Sequence, residues 1–183
     1  MLFRSGVLGP VPVNELLNKV QPLIGVIDNL SNNTPPIHDW IFYALQMGLT
    51  PDQIGKIAET GFEAAVYLTS GGQPVLVFQS TNSGIDFLAT DIFNALGASH
   101  GITPIVSQYS FAAQLAEQVA KNYPFQNLTL TGFSLGGGLA AYAGATDKIP
   151  AVTFDPAGIS NETNYNSSYV LNFQMSEIGR AHV

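Results

Sequence analysis

The 183-residue sequence has no cysteine, so it carries neither a disulfide framework nor a thiolate metal site. Positive charge is scarce. Lys and Arg total six against thirteen Asp and Glu, a net charge of −7. That excludes a nucleic-acid binder working through basic patches, because neutralising phosphates takes clustered Lys and Arg. It equally argues against a polybasic membrane anchor. Charged residues of both signs reach only 10%, against about 25% in an average soluble protein. With 46% apolar residues, the composition excludes a disordered chain. Long apolar runs are also missing. Stretches such as Pro74–Phe78 fall far short of the roughly 20 residues that a membrane helix needs. What remains is one globular domain, or one domain with a short extension, large enough to bury a core without staples.

The two ends differ from the rest and hold the only two Arg, Arg4 and Arg180. Met1–Ser5 and Ile178–Val183 match in full the two translations of a common DNA-library adapter. One strand encodes Ile-Gly-Arg-Ala-His-Val, and its complement encodes Met-Leu-Phe-Arg-Ser from a GTG start. We expect residues 1–5 and 178–183 to be adapter-derived tails, and residues 6–177 to be an internal piece of a longer gene. Without the tails there are four Lys against thirteen acids, a net charge of −9. A missing signal peptide then says nothing against secretion.

Residues 6–61 read as a helical lead-in. Asn14–Ile27 carries apolar residues at helical spacing. Ser31–Pro36 is a polar break, and His38–Met47 reads as a second helix. Thr50-Pro51 opens a third, with Thr as cap and Pro in the first turn, and it ends near Gly61. From residue 62 to 177 the pattern changes to strands and helices in alternation. Glu63–Thr69 and Pro74–Ser80 form a hairpin through Ser70-Gly71-Gly72. Ile85–Leu96 reads as helix, Gly97–Thr103 as loop and Ser107–Lys121 as an amphipathic helix. Leu128–Thr131, Ala151–Phe154 and Tyr169–Gln174 read as strands, with Leu135–Ala145 a helix of small residues. Alternation of this kind predicts a mostly parallel α/β sheet with crossover helices. An exposed sheet edge is expected near Tyr169–Gln174.

The sharpest feature is Gly132-Phe133-Ser134-Leu135-Gly136, which follows a strand and opens a helix. That is the context of a nucleophile elbow. Ser134 must occupy a strained turn that exposes its hydroxyl. Gly132 and Gly136 let strand and helix approach without a Cβ clash. The helix N-terminus directs backbone N–H groups at developing negative charge.

Thr131–Ala140 resembles the elbow of the class 3 lipases, a branch of the α/β-hydrolases. Val77-Phe78-Gln79-Ser80-Thr81, followed by Asp86-Phe87 and Asp91, is similar to that family's "F-R-G-T…D-W…D" segment. Gln108-Tyr109 with Ala112 and Leu115 resembles the "Q-Y-x-x-A" helix of bacterial members. Thr153-Phe154-Asp155-Pro156-Ala157-Gly158 is similar to its "T-F-N-x-x-G" strand end. The four blocks stand in family order across about residues 62–158. Phe133 replaces the usual His, and Gln79-Ser80 replaces Arg-Gly.

The resemblance implies an α/β-hydrolase-like fold and a serine hydrolase of carboxylic esters, a lipase or phospholipase. Ser134 would be the nucleophile. Thr81, through its N–H and hydroxyl, and the Leu135 N–H would form the oxyanion hole. Asp86 and Asp91 read as helix-start and loop-pinning residues, and Ile92–Ile105 stands where the family carries a lid. In α/β-hydrolases an acid and then a His follow the Ser. The only His after Ser134 is His182, in the suspected tail. His38 and His100 precede it, His38 reading as a capping or surface residue and His100 as a loop residue. Acid candidates are Asp147, Asp155, Glu162 and Glu177. Asp155 reads first as a stand-in for the family's structural Asn and second as the triad acid. The chain is therefore expected to lack the triad acid and His and to be nearly inert alone. No metal site or cofactor is expected, and the partner is a lipid or other ester. Two rivals stay open: a thioesterase or small-ester esterase, and a non-catalytic lipid- or glycan-binding module on the same fold.

Overall fold

The computed structural model describes residues 35–79, 108–124, 126–157 and 166–174. Expectations for Asn14–Ile27, Ile85–Leu96 and Gly97–Thr103 lie outside them. Six strands form one sheet in chain order. They are β1 (His38–Asp39), β2 (Ala64–Leu68), β3 (Pro74–Phe78), β4 (Thr129–Phe133), β5 (Ala151–Phe154) and β6 (Val170–Phe173). β1, β2 and β3 pair antiparallel, and β3 to β6 run parallel. Four helices accompany them among the described residues: α1 (Trp40–Gln46), α2 (Pro51–Glu59), α3 (Gln108–Asn122) and α4 (Leu135–Asp147). The α/β-hydrolase-like, mostly parallel sheet with flanking helices is present as expected.

Local chemistry explains most boundaries. Thr50 caps α2 through a full capping box with Gln53, and Pro51 fills its first turn. The β2–β3 hairpin closes where Gly72 adopts φ +75° and the Thr69 hydroxyl accepts from the Gln73 N–H. One boundary moved. The expected helix at His38–Met47 starts only at Trp40, because His38 and Asp39 pair with Val66 and Ala65. Asp39, not His38, is the cap: it stays extended and its Oδ1 accepts from the Phe42 N–H at 3.2 Å. His38 instead stacks on the Phe42 ring at 3.8 Å.

Side chains alternate strictly across the sheet. Ala64, Val66, Leu76, Phe78, Leu128, Leu130 and Ala151 face the helices and pack with Trp40, Tyr43, Ile57, Phe62, Phe111, Leu115 and Leu139. The centre of this layer is aromatic. Trp40 meets Phe62 and Phe111 edge-on at 5.6 and 5.8 Å, and Phe62 meets Phe78 at 6.3 Å. These rings fix the end of β3 against the start of α3. Ala65, Tyr67, Val75, Val152, Leu171 and Phe173 form a second cluster on the opposite face. The last part of the helical lead-in thus packs into the same core as the strands. Among the described residues β6 pairs only with β5, although its Leu171 and Phe173 side chains are buried.

α4 runs two residues past the expected end. Lys148 takes the left-handed conformation (φ 58°) and its N–H bonds the Gly144 carbonyl, closing the helix. This leaves Asp147 in the last turn with Oδ2 buried and, among the described residues, without a hydrogen-bond partner. Burial first, and the Glu117 carboxylate second, push its pKa up to about 6. The helix C-terminus is also unfavourable for an anion. The folded state therefore holds this proton more tightly than the unfolded chain. Stability falls as pH rises from about 4 to about 6 and levels off above. Asp147→Asn removes that loss. We expect a gain of about 1–2 kcal/mol at pH 7.5, discounted for partial exposure, that vanishes below about pH 4. Urea denaturation across pH 4–8 checks it, and an equal gain at every pH would contradict it.

Candidate active site

The candidate site sits where β4 turns into α4. Ser134 joins them at φ 52°, ψ −120°, outside the allowed basins of an L-residue. Such a conformation costs about 1–3 kcal/mol and persists only where the surroundings enforce it. Three backbone hydrogen bonds do so. The Ser134 N–H donates to the Phe154 carbonyl at 3.1 Å. The Ser134 carbonyl accepts from the N–H groups of Gly138 (3.0 Å) and Ala157 (2.8 Å). The turn after β5 is thereby bound to the elbow, and the Asp155 N–H bonds the Phe173 carbonyl at 2.7 Å.

Ser is a favoured helix cap, yet the Ser134 side chain makes no capping bond. Its hydroxyl is not spent on the helix. Leu135 opens the 13-residue α4. The first N–H groups of a helix lack intrahelical acceptors and carry its positive pole. The glycines are compulsory. A Cβ on Gly132 would lie 2.3 Å from the Gly136 carbonyl oxygen. One on Gly136 would lie 2.3 Å from the Phe78 carbonyl oxygen and 3.0 Å from the Gln79 carbonyl carbon. The end of β3 therefore crosses directly over the first turn of α4. Gln79 is held there by its N–H to the Glu63 carbonyl at 3.0 Å. Thr81, two residues on, lies outside the described residues, as do Asp86, Asp91, His100, Glu162, Glu177 and His182.

The remaining candidates separate by position. Asp155 follows β5 at φ 40°, half-buried, one residue beyond the carbonyl that Ser134 binds. Asp147 ends α4, so about 20 Å of helix separates it from Ser134, which removes it as a triad acid. His38, the only described His, lies three strands from β4, about 14 Å across the sheet, at the level of Val66, Leu76 and Leu130. It is out of hydrogen-bonding reach of Ser134. No group of three or more His, Cys, Asp or Glu among the described residues is placed to hold a metal ion.

Two supports are not evident from spacing. Gln108 is buried and its Nε2 donates to the Thr60 carbonyl at 3.3 Å, tying α3 to the end of α2. The Tyr109 hydroxyl lies over Gly138, 3.1 Å from where a Cβ would stand, and its ring meets Tyr142 edge-on at 5.6 Å. The Gln108-Tyr109 pair so braces the helix layer behind the elbow. Only a motif resemblance pointed to it. Phe133, beside Ser134, is 55% exposed, unusual for a strand residue of this size.

Residues 43–175 match the model of a phospholipase-like family, the Tle-like phospholipase domain. The chain is 36% identical over 119 residues to an extracellular phospholipase A1 of Serratia liquefaciens, covering 65% of this chain and 34% of that one. It is 48% identical over 50 residues to a Candida glabrata protein named as a lipase, ATG15, covering 27% of this chain and 10% of the relative. The chain thus spans about a third of the length of the first relative and a tenth of the second.

Because the atoms facing Gly136 are backbone, they cannot yield to a methyl group. Gly136→Ala should destabilise by about 3 kcal/mol, the upper range of overpacking. Gly55 is on the exposed side of α2 with nothing within 4 Å of its Cβ position. Gly55→Ala should instead stabilise by about 0.5–1 kcal/mol. Paired thermal melts check the contrast, which fails if the two substitutions behave alike.

Proposed function

The chain belongs to the Tle-like phospholipase family, and from that membership we propose that it carries the nucleophile of a phospholipid-ester hydrolase. The backbone strain at Ser134 is the observation that carries this reading. Ser134 Oγ attacks the ester carbonyl carbon and gives its proton to a general base. The tetrahedral oxyanion is bound by the Leu135 N–H at the helix terminus and by the Thr81 N–H and hydroxyl. The intermediate collapses to an acyl-enzyme, and the alcohol leaves with a proton from the same base. Water, activated in turn, releases the acid and restores Ser134. The base is not His38, and hydrolysis depends on a His and an orienting acid supplied from outside the described residues. Asp155 serves the elbow as a structural stand-in for Asn, through its place in the turn bound to Ser134. Class 3 lipase architecture, carried by the four sequence blocks, is part of this reading. Secretion is proposed with it, on the name of the Serratia relative.

Among the described residues no His stands within reach of Ser134, which keeps one rival in play, a binding module that kept the fold without catalysis. A fluorophosphonate probe distinguishes them in the full gene product. Ser134 should be labelled stoichiometrically by intact mass and peptide mapping, and Ser134→Ala should abolish labelling at unchanged circular dichroism. Removing the Leu135 donor's partner at Thr81 (Thr81→Ala) should lower kcat by about 100-fold, the usual cost of one oxyanion donor. Wild type that stays unlabelled would defeat the enzyme reading.

A further inference from the structure

Of the six large apolar side chains exposed among the described residues, four fall within nine consecutive positions: Ile37, Ile41, Phe42 and Leu45, at 43%, 37%, 36% and 53% exposure. Ile41 and Leu45 stand one turn apart on α1, with Phe42 beside them. Ile37 leads into β1, its N–H bonded to the Val66 carbonyl at 2.9 Å. The patch is held in shape. The His38 ring stacks on Phe42 at 3.8 Å, and Gln46 accepts from Gln118 (3.1 Å) and Asn122 (2.9 Å). The inner face of α1 buries Trp40, Tyr43 and Ala44. α1 thus holds no charged residue and is apolar on both faces, the pattern of a helix covered on both sides.

The described residues begin at Pro35, two positions before this patch. Ahead of them, Asn14–Ile27 carries Leu16, Leu17, Val20, Leu23, Ile24 and Ile27. At helical spacing these six fall within an arc of about 120°. Pro22 and Gly25 fall outside it, so a bend at Pro22 leaves the apolar arc continuous. A helix of this length is marginal alone in water, and Pro22 and Gly25 weaken it further, so it needs an apolar surface to form on. The nine residues between Ile27 and Ile37 reach up to about 30 Å, ample for the segment to fold back along α1. So tethered, it meets the patch at an effective concentration of about millimolar, above that of a separate molecule in dilute solution.

We propose that the patch from Ile37 to Leu45 is the docking surface of the chain's own Asn14–Ile27 segment, which adds a helix over α1 and closes the helix layer on the β1 side of the sheet. Docking there is independent of catalysis at Ser134, because β1 lies three strands from β4.

Paired cysteines test it in the 183-residue chain, which has none of its own. Leu45→Cys is combined with Leu16→Cys, Val20→Cys or Leu23→Cys on the apolar arc, or with Glu15→Cys or Asn18→Cys off it, and oxidised with diamide. At least one arc position should form an intramolecular disulfide about tenfold faster than both controls, read by non-reducing intact mass. Equal rates on and off the arc overturn the docking. Disulfides formed only between chains overturn it in favour of a second copy. Trypsin supplies an independent arm, since Lys19 lies in the segment while Lys56 and Lys121 lie in α2 and α3. Leu45→Asp should speed cleavage after Lys19 about tenfold and leave cleavage after Lys56 and Lys121 unchanged. Unchanged cleavage after Lys19 overturns the docking. Where Leu45→Asp also loosens the core, the cysteine pairs decide. Binding to phosphatidylcholine vesicles that Leu45→Asp abolishes, with no disulfide to the arc, overturns it in favour of a lipid surface.

Discussion

The approach of α4 to the sheet is too close for any side chain larger than hydrogen at Gly132 and Gly136. The other features of the site follow from that distance. With the helix seated on the Phe78 carbonyl, the chain has one residue in which to reverse from strand to helix. Ser134 is that residue, and its backbone takes a conformation no relaxed Ser would choose. The same contact brings the end of β3 over the first turn of α4. A loosened helix would relax Ser134 and part β3 from the helix terminus at once.

Strain of this kind needs surroundings stiff enough to hold it. The bonds at Ser134 tie it to β5 and the turn beyond. Behind α4, Ala140, Ala141 and Ala143 are fully buried, so the helix lies flat over β4 and β5 with no gap to move into. Further out, the Trp40, Phe62, Phe78 and Phe111 rings lock β3 to α3. The rings are remote from Ser134, yet they fix the strand whose carbonyl Gly136 touches. Core packing and site geometry are therefore one mechanical system, in which small residues set distance and large ones set rigidity.

What was legible in the sequence was encoded within a few residues. The cap at Thr50, the glycine turn at Gly72 and the strand-to-helix turn across Gly132–Gly136 are each marked by neighbouring residues, and each formed where spacing put it. Five of the six strands were legible as short apolar runs bounded by turn residues, with ends within two residues of those expected. Features decided by distant partners were not legible. His38 left its expected helix because Val66, 28 positions away, offered a strand to pair with. The α4 terminus depended on Lys148 accepting a left-handed conformation, which few non-glycine residues do. The buried state of Asp147 required knowing that Glu117 of another helix stands near. The pairing of Phe133 with Phe154, and of Phe154 with Phe173, is a property of register, which no single strand contains.

Charge placement completes the case for how such a site would work. Lys121 and Lys148 lie at the C-terminal ends of α3 and α4, where they complement the helix dipoles. Those ends are at the edge of the sheet away from Ser134, since each helix runs back against the strands. The Glu63 carbonyl and the Asp155 N–H belong to the backbone that holds this rim, through Gln79 and Phe173. In the proposed reaction the developing charge is met by backbone dipoles, the Leu135 N–H foremost, which are fixed in direction and need no reorganisation. The close packing at Gly136 is what holds that helix terminus in place.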